Sequence, residues 1–188
     1  MQAVIAVLTE THRNMERVLM LMRFQLDSLK PHNHAAAYVL LANAVGYMHR
    51  YPSLIHHPAE ELIGAKLARY APETRALCDR IREQHQRFAT VEIRLQRDIR
   101  AAHASDGDGW RDIQEQGVAY CLEHATHIRL EETELFPLAL RWLKGADWHE
   151  IDGQCKAMSD PLFDGKDLGR YDSLYDYLMT DGQRFDLH

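Results

Sequence analysis

A chain of 188 residues with 46% hydrophobic content can bury one sizeable core, with room for a short appendage. Its net charge of -6 and pI near 6.0 provide no basic footprint for nucleic acid. Cys78, Cys121 and Cys155 are odd in number, widely spaced and without a CxxC pairing, so they indicate neither a disulfide framework nor a zinc ribbon and suit a reducing cytoplasm.

The opening segment, residues 1–8, lacks a basic n-region, and no apolar run approaches the length of a membrane span, so a soluble protein with no membrane partner is expected. Leu8, His12, Met15, Leu19, Met22, Leu26 and Leu29 then follow the three-and-four spacing of one helix face, and Pro31 ends the stretch. His12 sits inside that apolar stripe. A second helical stretch over roughly residues 34–70 carries Tyr38, Leu41, Val45 and Met48 on one face, and Pro52 and Pro58 predict a kink or local break within it. After Pro72, a third pattern aligns Leu77, Ile81, His85, Phe88, Glu92, Leu95 and Ile99 and closes in the turn-rich residues 105–109. A fourth, over residues 110–142, aligns Ile113, Gly117, Tyr120, His124, His127, Glu131, Glu134 and Leu138, a face unusually polar in its middle. No strand pattern appears. Four long amphipathic helices joined by short turns predict an all-α, up-down-up-down antiparallel four-helix bundle over residues 1–143. His12 lies a little over two turns into its helix and His127 nearly five turns into the fourth, so their levels match only if the helices are staggered. Residues 144–188, with apolar groups at irregular spacing, predict short helices packed on the bundle or on a second subunit, the latter making a homodimer.

Two segments repeat one arrangement: His56-His57-Pro58-Ala59-Glu60-Glu61, and His127-Ile128-Arg129-Leu130-Glu131-Glu132 running into Leu135-Phe136-Pro137. In each a carboxylate follows a histidine by four residues, so both side chains lie on one helix face and can meet at a shared point. One such pair is common on solvated helix faces, and His12 or His85 alone reads as a core histidine held by hydrogen bonds. Two pairs together with these two striped histidines point instead to metal. Four imidazoles and two carboxylates, with no thiolate, suit a dinuclear iron or manganese site, whereas zinc alone needs fewer ligands. The order His-x-x-x-Glu differs from the Glu-x-x-His of ferritin-like bundles. His57 with Glu61 forms an equivalent pair, but the face through Glu60 continues to Ile63 and Leu67, which favours His56 with Glu60 and leaves His57 and Glu61 as candidates for an additional ligand or an outer partner. His124 and His49 fall on the same faces one or two turns away, as partners that orient ligands or line the site. His32, His34, His103, His149 and His188 read as surface residues.

His12, the HHPAEE segment, His85 preceded by Glu83 and Gln84, and His127-x-x-x-Glu131-Glu132 leading to Leu-Phe-Pro together resemble the hemerythrin-like HHE cation-binding proteins. Asp147-Trp148 and Asp160-Pro161-Leu162-Phe163 are similar to the extension that some bacterial members carry after the bundle. The resemblance implies a non-haem di-iron centre in which His12 and His56 hold one iron, His85 and His127 the other, and Glu60 and Glu131 bridge them. Manganese and zinc are the alternative metals. Oxygen-carrying hemerythrins have a fifth histidine four residues before the third-helix ligand and His-x-x-x-x-Asp in the last helix. Here Ile81 takes the first place and Glu131 follows His127 at four, which leaves an extra open position or invites a replacement ligand. Members with four histidines and two glutamates are linked to iron sensing, nitric oxide binding and repair of iron centres. The expected function is therefore a cytoplasmic metal protein that binds oxygen or nitric oxide or senses redox state or iron. The alternative is an enzyme that reduces peroxide or nitric oxide, or donates iron for repair.

Overall fold

The computed structural model describes residues 2–30, 35–105, 107–155, 160–163 and 168–180, and every regular element among them is helical. The first helix, α1 (Ala3–Ser28), buries Leu8, His12, Met15, Leu19, Met22 and Leu26 as their spacing predicts. It ends where Leu29 turns to extended backbone (φ -66°, ψ 131°). The expected terminator Pro31, and His32 and His34, lie outside the described residues, as does His188.

The prolines of the second stretch do not break it. Helix α2 (Ala35–Tyr51) passes through one widened turn, Pro52–His56, into α3 (His57–Tyr70). The His57 N–H donates to the Pro52 carbonyl five residues back. Pro58 follows at once, so its missing N–H falls where the hydrogen-bond register is already changing. The same device recurs late in the chain. Helix α5 (Trp110–Leu130) continues through the widened turn Glu131–Leu135 into α6 (Phe136–Trp142), with the Phe136 N–H donating to the Glu131 carbonyl just before Pro137. The additional residue in that turn rotates the buried face, which corrects the predicted stripe. Glu134 is exposed and Leu138 only half-buried, while Leu135 and Ala139 occupy the interior.

Between these helices lies α4 (Arg75–Ala104), whose buried residues Ile81, His85, Phe88, Glu92, Leu95 and Ile99 keep an unbroken alternation of fours and threes. Its link to α5 uses Gly107 (φ 102°) and Gly109 (φ 78°), a left-handed region that favours glycine. Helix α2 packs against α4, α4 against α5, α5 against α1 and α1 against α2, which closes a helical bundle. Beyond it, α7 (Gly145–Cys155) lies on α3 and α1, tied by the Lys66 ammonium to Glu150 at 2.7 Å. Helix α8 (Leu168–Thr180) lies on α2 and α1. Asp160 fastens the intervening turn: it accepts from the buried Tyr47 hydroxyl (2.9 Å) and from the Leu162 and Phe163 backbone N–H groups (2.9 and 3.1 Å).

The apolar interior forms two clusters rather than one. One holds Met15, Tyr51, Phe88, Tyr120 and Ile128; the other holds Leu8, Ala59, Ile81 and Leu135. Each principal helix passes from one cluster to the other, and at that crossing it carries its buried histidine or glutamate: His12 between Leu8 and Met15, His85 between Ile81 and Phe88. The helices are thus staggered as the matching of His12 with His127 requires. A close approach of α1 and α5 assists this: a Cβ added at Gly117 would meet Leu26 Cδ1 at 2.7 Å. Gly117→Val is expected to cost about 1–3 kcal/mol through overpacking, measured by denaturant unfolding, with metal content unchanged.

Candidate metal centre

Five imidazoles and two carboxylates, all nearly or fully buried, converge at the crossing layer. Helix α1 supplies His12, the turn and start of α3 supply His56, His57 and Glu60, α4 supplies His85, and α5 with its widened turn supplies His127 and Glu131. Glu60 Oε1 lies 3.1 Å from His12 Nε2 and 3.0 Å from His56 Nε2, and its Oε2 lies 3.7 Å from His85 Nε2. Glu131 spans the same gap from the other side, at 3.5 Å from His12 Nε2, 3.3 Å from His85 Nε2 and 3.2 Å from His127 Nε2. Two sets of ligand atoms are close enough to surround one ion each: His12, His56 and Glu60, and His57, Glu60, His85 and His127.

These residues fit cations better than they fit one another. Among the described residues, both ring nitrogens of His56 and of His57, and one oxygen each of Glu60 and Glu131, are buried without a hydrogen-bond partner. His56 Nε2 is 3.0 Å from Glu60 Oε1 yet forms no hydrogen bond with it. Each such orphan costs about 1–3 kcal/mol in a dry interior. With bonds of about 2.1 Å, ligand atoms at right angles around an ion lie about 3 Å apart, and the nitrogen and oxygen separations here are of that size. The absence of any thiolate from the set suits a metal that accepts imidazole and carboxylate.

Outer partners hold the rings. Glu132 Oε1 lies 3.0 Å from His12 Nδ1, Glu61 Oε1 3.3 Å from His85 Nδ1, and Gln84 Oε1 3.1 Å from His127 Nδ1. Each accepts a hydrogen bond from Nδ1–H, leaving Nε2 to face the centre. The two Glu-Glu doublets therefore divide their work alike, the first carboxylate turning inward and the second reaching across to a histidine on another helix. Phe136 stacks on His12 at 5.5 Å and 8°, and His57 stacks on His85 at 4.0 Å and 1°.

Burial disfavours charge on His12, but the neighbouring Glu131, Glu132 and Glu60 carboxylates outweigh it and hold its pKa well above the ordinary value. At His85 burial again pulls down, while Glu131 and Glu61 push up, to about 9. Burial and the Glu131 carboxylate raise the pKa of Glu60, yet His56 and His12 lower it more. Burial likewise opposes ionisation of Glu131, and the neighbouring His127, His12 and His85 imidazoles bring it well below the carboxylate range. His57 and His124, buried among other imidazoles, are held well below the usual histidine pKa and stay neutral. Without metal the layer is thus balanced by protons on His12 and His85.

The model of the hemerythrin HHE cation binding domain matches residues 3–139 of this chain. The chain belongs to the hemerythrin HHE family. No curated protein and no solved structure matches it. The matched span ends at Ala139 and so contains the whole buried His/Glu cluster, from His12 to Glu131.

The structure brings His12, His56, Glu60, His85, His127 and Glu131 together, and adds His57 from the extra-ligand class. Glu61 turns outward to His85. His124 lies outside both ligand sets, stacked on Phe88 at 4.3 Å with its ring 5.8 Å from His127. His49 also lies outside both ligand sets: it pairs with the buried Glu92 at 3.2 Å, which also accepts from Tyr120 and Ser53 at 2.7 and 3.0 Å. The sequence reading assigned no orienting role to Gln84 or Glu132; the doubled glutamate was the one available signal for the latter. His103 and His149 are exposed as expected.

Glu61→Gln and Glu132→Gln are each expected to weaken metal binding about 10–100-fold, measured by competition with a chelator, while circular dichroism stays unchanged. Protons bound to His12 and His85 must leave when metal enters, so loading at pH 7 should release about two protons per chain into a dye-monitored weak buffer. Because the His85 pKa rises from 6.5 to about 9, its share of metal-free stability is full below 6.5 and is lost as pH rises through about 9. Metal affinity should rise over the same window.

Proposed function

We propose that this chain holds a non-haem di-iron centre and uses it in the cytoplasm to bind oxygen or nitric oxide, or to report redox state or iron supply. The observation that carries this reading is the set of buried, unpartnered imidazole nitrogens and carboxylate oxygens gathered between two dry apolar clusters. His12 and His56 would hold one ion, His85 and His127 the other with His57 as its additional imidazole, and Glu60 and Glu131 would bridge. Bound iron supplies Lewis acidity, redox capacity and an exchangeable position for a small ligand. The chain's own groups do the rest: Glu132, Glu61 and Gln84 fix ring orientation, the two apolar clusters exclude water, and Ile81 fills the place of a possible ligand with a side chain that cannot bind metal. We read residues 1–143 as an antiparallel four-helix bundle and 144–188 as an extension seated on it.

Protein purified without chelator or affinity metal should contain about two irons per chain and show a near-ultraviolet oxo-to-iron band. His56→Ala combined with His127→Ala should remove most of that iron and lower the melting temperature, since filled sites stabilise only the native state. A single zinc, or no metal, would defeat the di-iron reading. Metal-dependent turnover of peroxide or nitric oxide, in place of reversible binding, would assign the centre to an enzyme.

A further inference from the structure

A cavity of about 530 Å³ opens between α3 and α4. Buried Glu60 and Ile81 form its inner end, and exposed Arg69, Arg75 and Arg82 stand at its rim. On the α3 side its wall consists of Gly64, Ala65 and Ala68, whose small side chains leave the space open. Cys78 faces it from α4. A water molecule takes up about 30 Å³ of liquid, so a diatomic ligand needs nothing of this size, whereas small-organic sites run to about 300–1,000 Å³.

Charge at the rim is partly committed and partly free. Arg82 pairs with Asp79 at 2.7 Å, and the Glu61 carboxylate is engaged by His85. Among the described residues, Arg69 and Arg75 have no carboxylate partner. Two uncommitted guanidinium groups beside a concavity make a local attraction for anions on a chain of net charge -6. We propose that this cavity binds a small organic or inorganic anion, held at the rim by Arg69 and Arg75 through a carboxylate or phosphate group, with its charge kept away from the Glu60 carboxylate at the inner end. The cavity's preference for anions stands apart from whether the His/Glu cluster holds metal.

Cys78 allows the test to be made with or without metal. The full chain is treated with a dianionic aromatic disulfide, 5,5′-dithiobis(2-nitrobenzoate), and with neutral 4,4′-dithiodipyridine, at alkaline pH because burial raises the Cys78 thiol pKa. Cys78→Ser identifies the phase belonging to this thiol. Relative to a free thiol, Cys78 should prefer the dianionic reagent several-fold, and Arg69→Gln/Arg75→Gln or added salt should abolish the preference. Inorganic phosphate or succinate at millimolar concentration should protect Cys78, whichever protects naming the anionic group, and the double variant should lose that protection while keeping its metal content. Equal reactivity toward both reagents, no protection by either anion, or protection that survives in the double variant would overturn the proposal. Loss of metal from wild-type protein would count against the di-iron reading alone.

Discussion

Glu60 and Glu131 are both fully buried in the middle of a helical core, and the rest of the structure is arranged around that fact. An ionised carboxylate removed from water carries a penalty of several kcal/mol unless opposite charge and hydrogen bonds surround it. Here each carboxylate lies between imidazoles from at least three segments of the chain, close to His12 on one side and to His85 on the other. In the metal-free protein, protons on His12 and His85 supply the compensating charge; cations would supply it more completely, because they could also take one ring nitrogen each of His56 and His57, which form no hydrogen bond. The layer is therefore one electrostatic unit in which no single ligand is separable from the others.

Its position explains the division of the apolar core. A charged layer cannot mix with leucine and isoleucine side chains, so the core is split into a cluster on each side, and the four principal segments all cross at the same level. The two apolar clusters keep water from the layer, which strengthens every interaction inside it. Around the layer, half-exposed Glu61 and Glu132 accept hydrogen bonds from Nδ1–H of His85 and His12, linking the buried charges to the surface through only one side chain each.

The two widened turns are the backbone counterpart. Both sit one residue short of a proline's immediate neighbour, both close with a hydrogen bond reaching five residues back, and both lie beside the buried histidines and glutamates. In the last helix the added residue turns Glu134 outward and Leu135 inward, so that the helix leaves the polar layer and enters the second apolar cluster without carrying a further carboxylate into it.

By itself, the sequence determined the helices, because three-and-four spacing of apolar residues is a local property, and it determined the ligand candidates, because a histidine and a carboxylate four residues apart share a face wherever the helix lies. It also placed His12 and His85 inside apolar stripes, where an isolated polar group calls for partners. Only the tertiary structure decided which groups those partners are. Glu61 and Glu132 look equivalent to Glu60 and Glu131 in a doublet, yet adjacent residues on a helix point about 100° apart, and which of them meets the interior depends on how neighbouring helices pack. Whether His56 or His57 faces inward had the same ambiguity, and the widened turn answered it by bringing both into the layer. A change of hydrogen-bond register from four residues to five leaves no mark in side-chain periodicity before the packed partners are known, which is why the stripe was read one residue out of phase after Glu131.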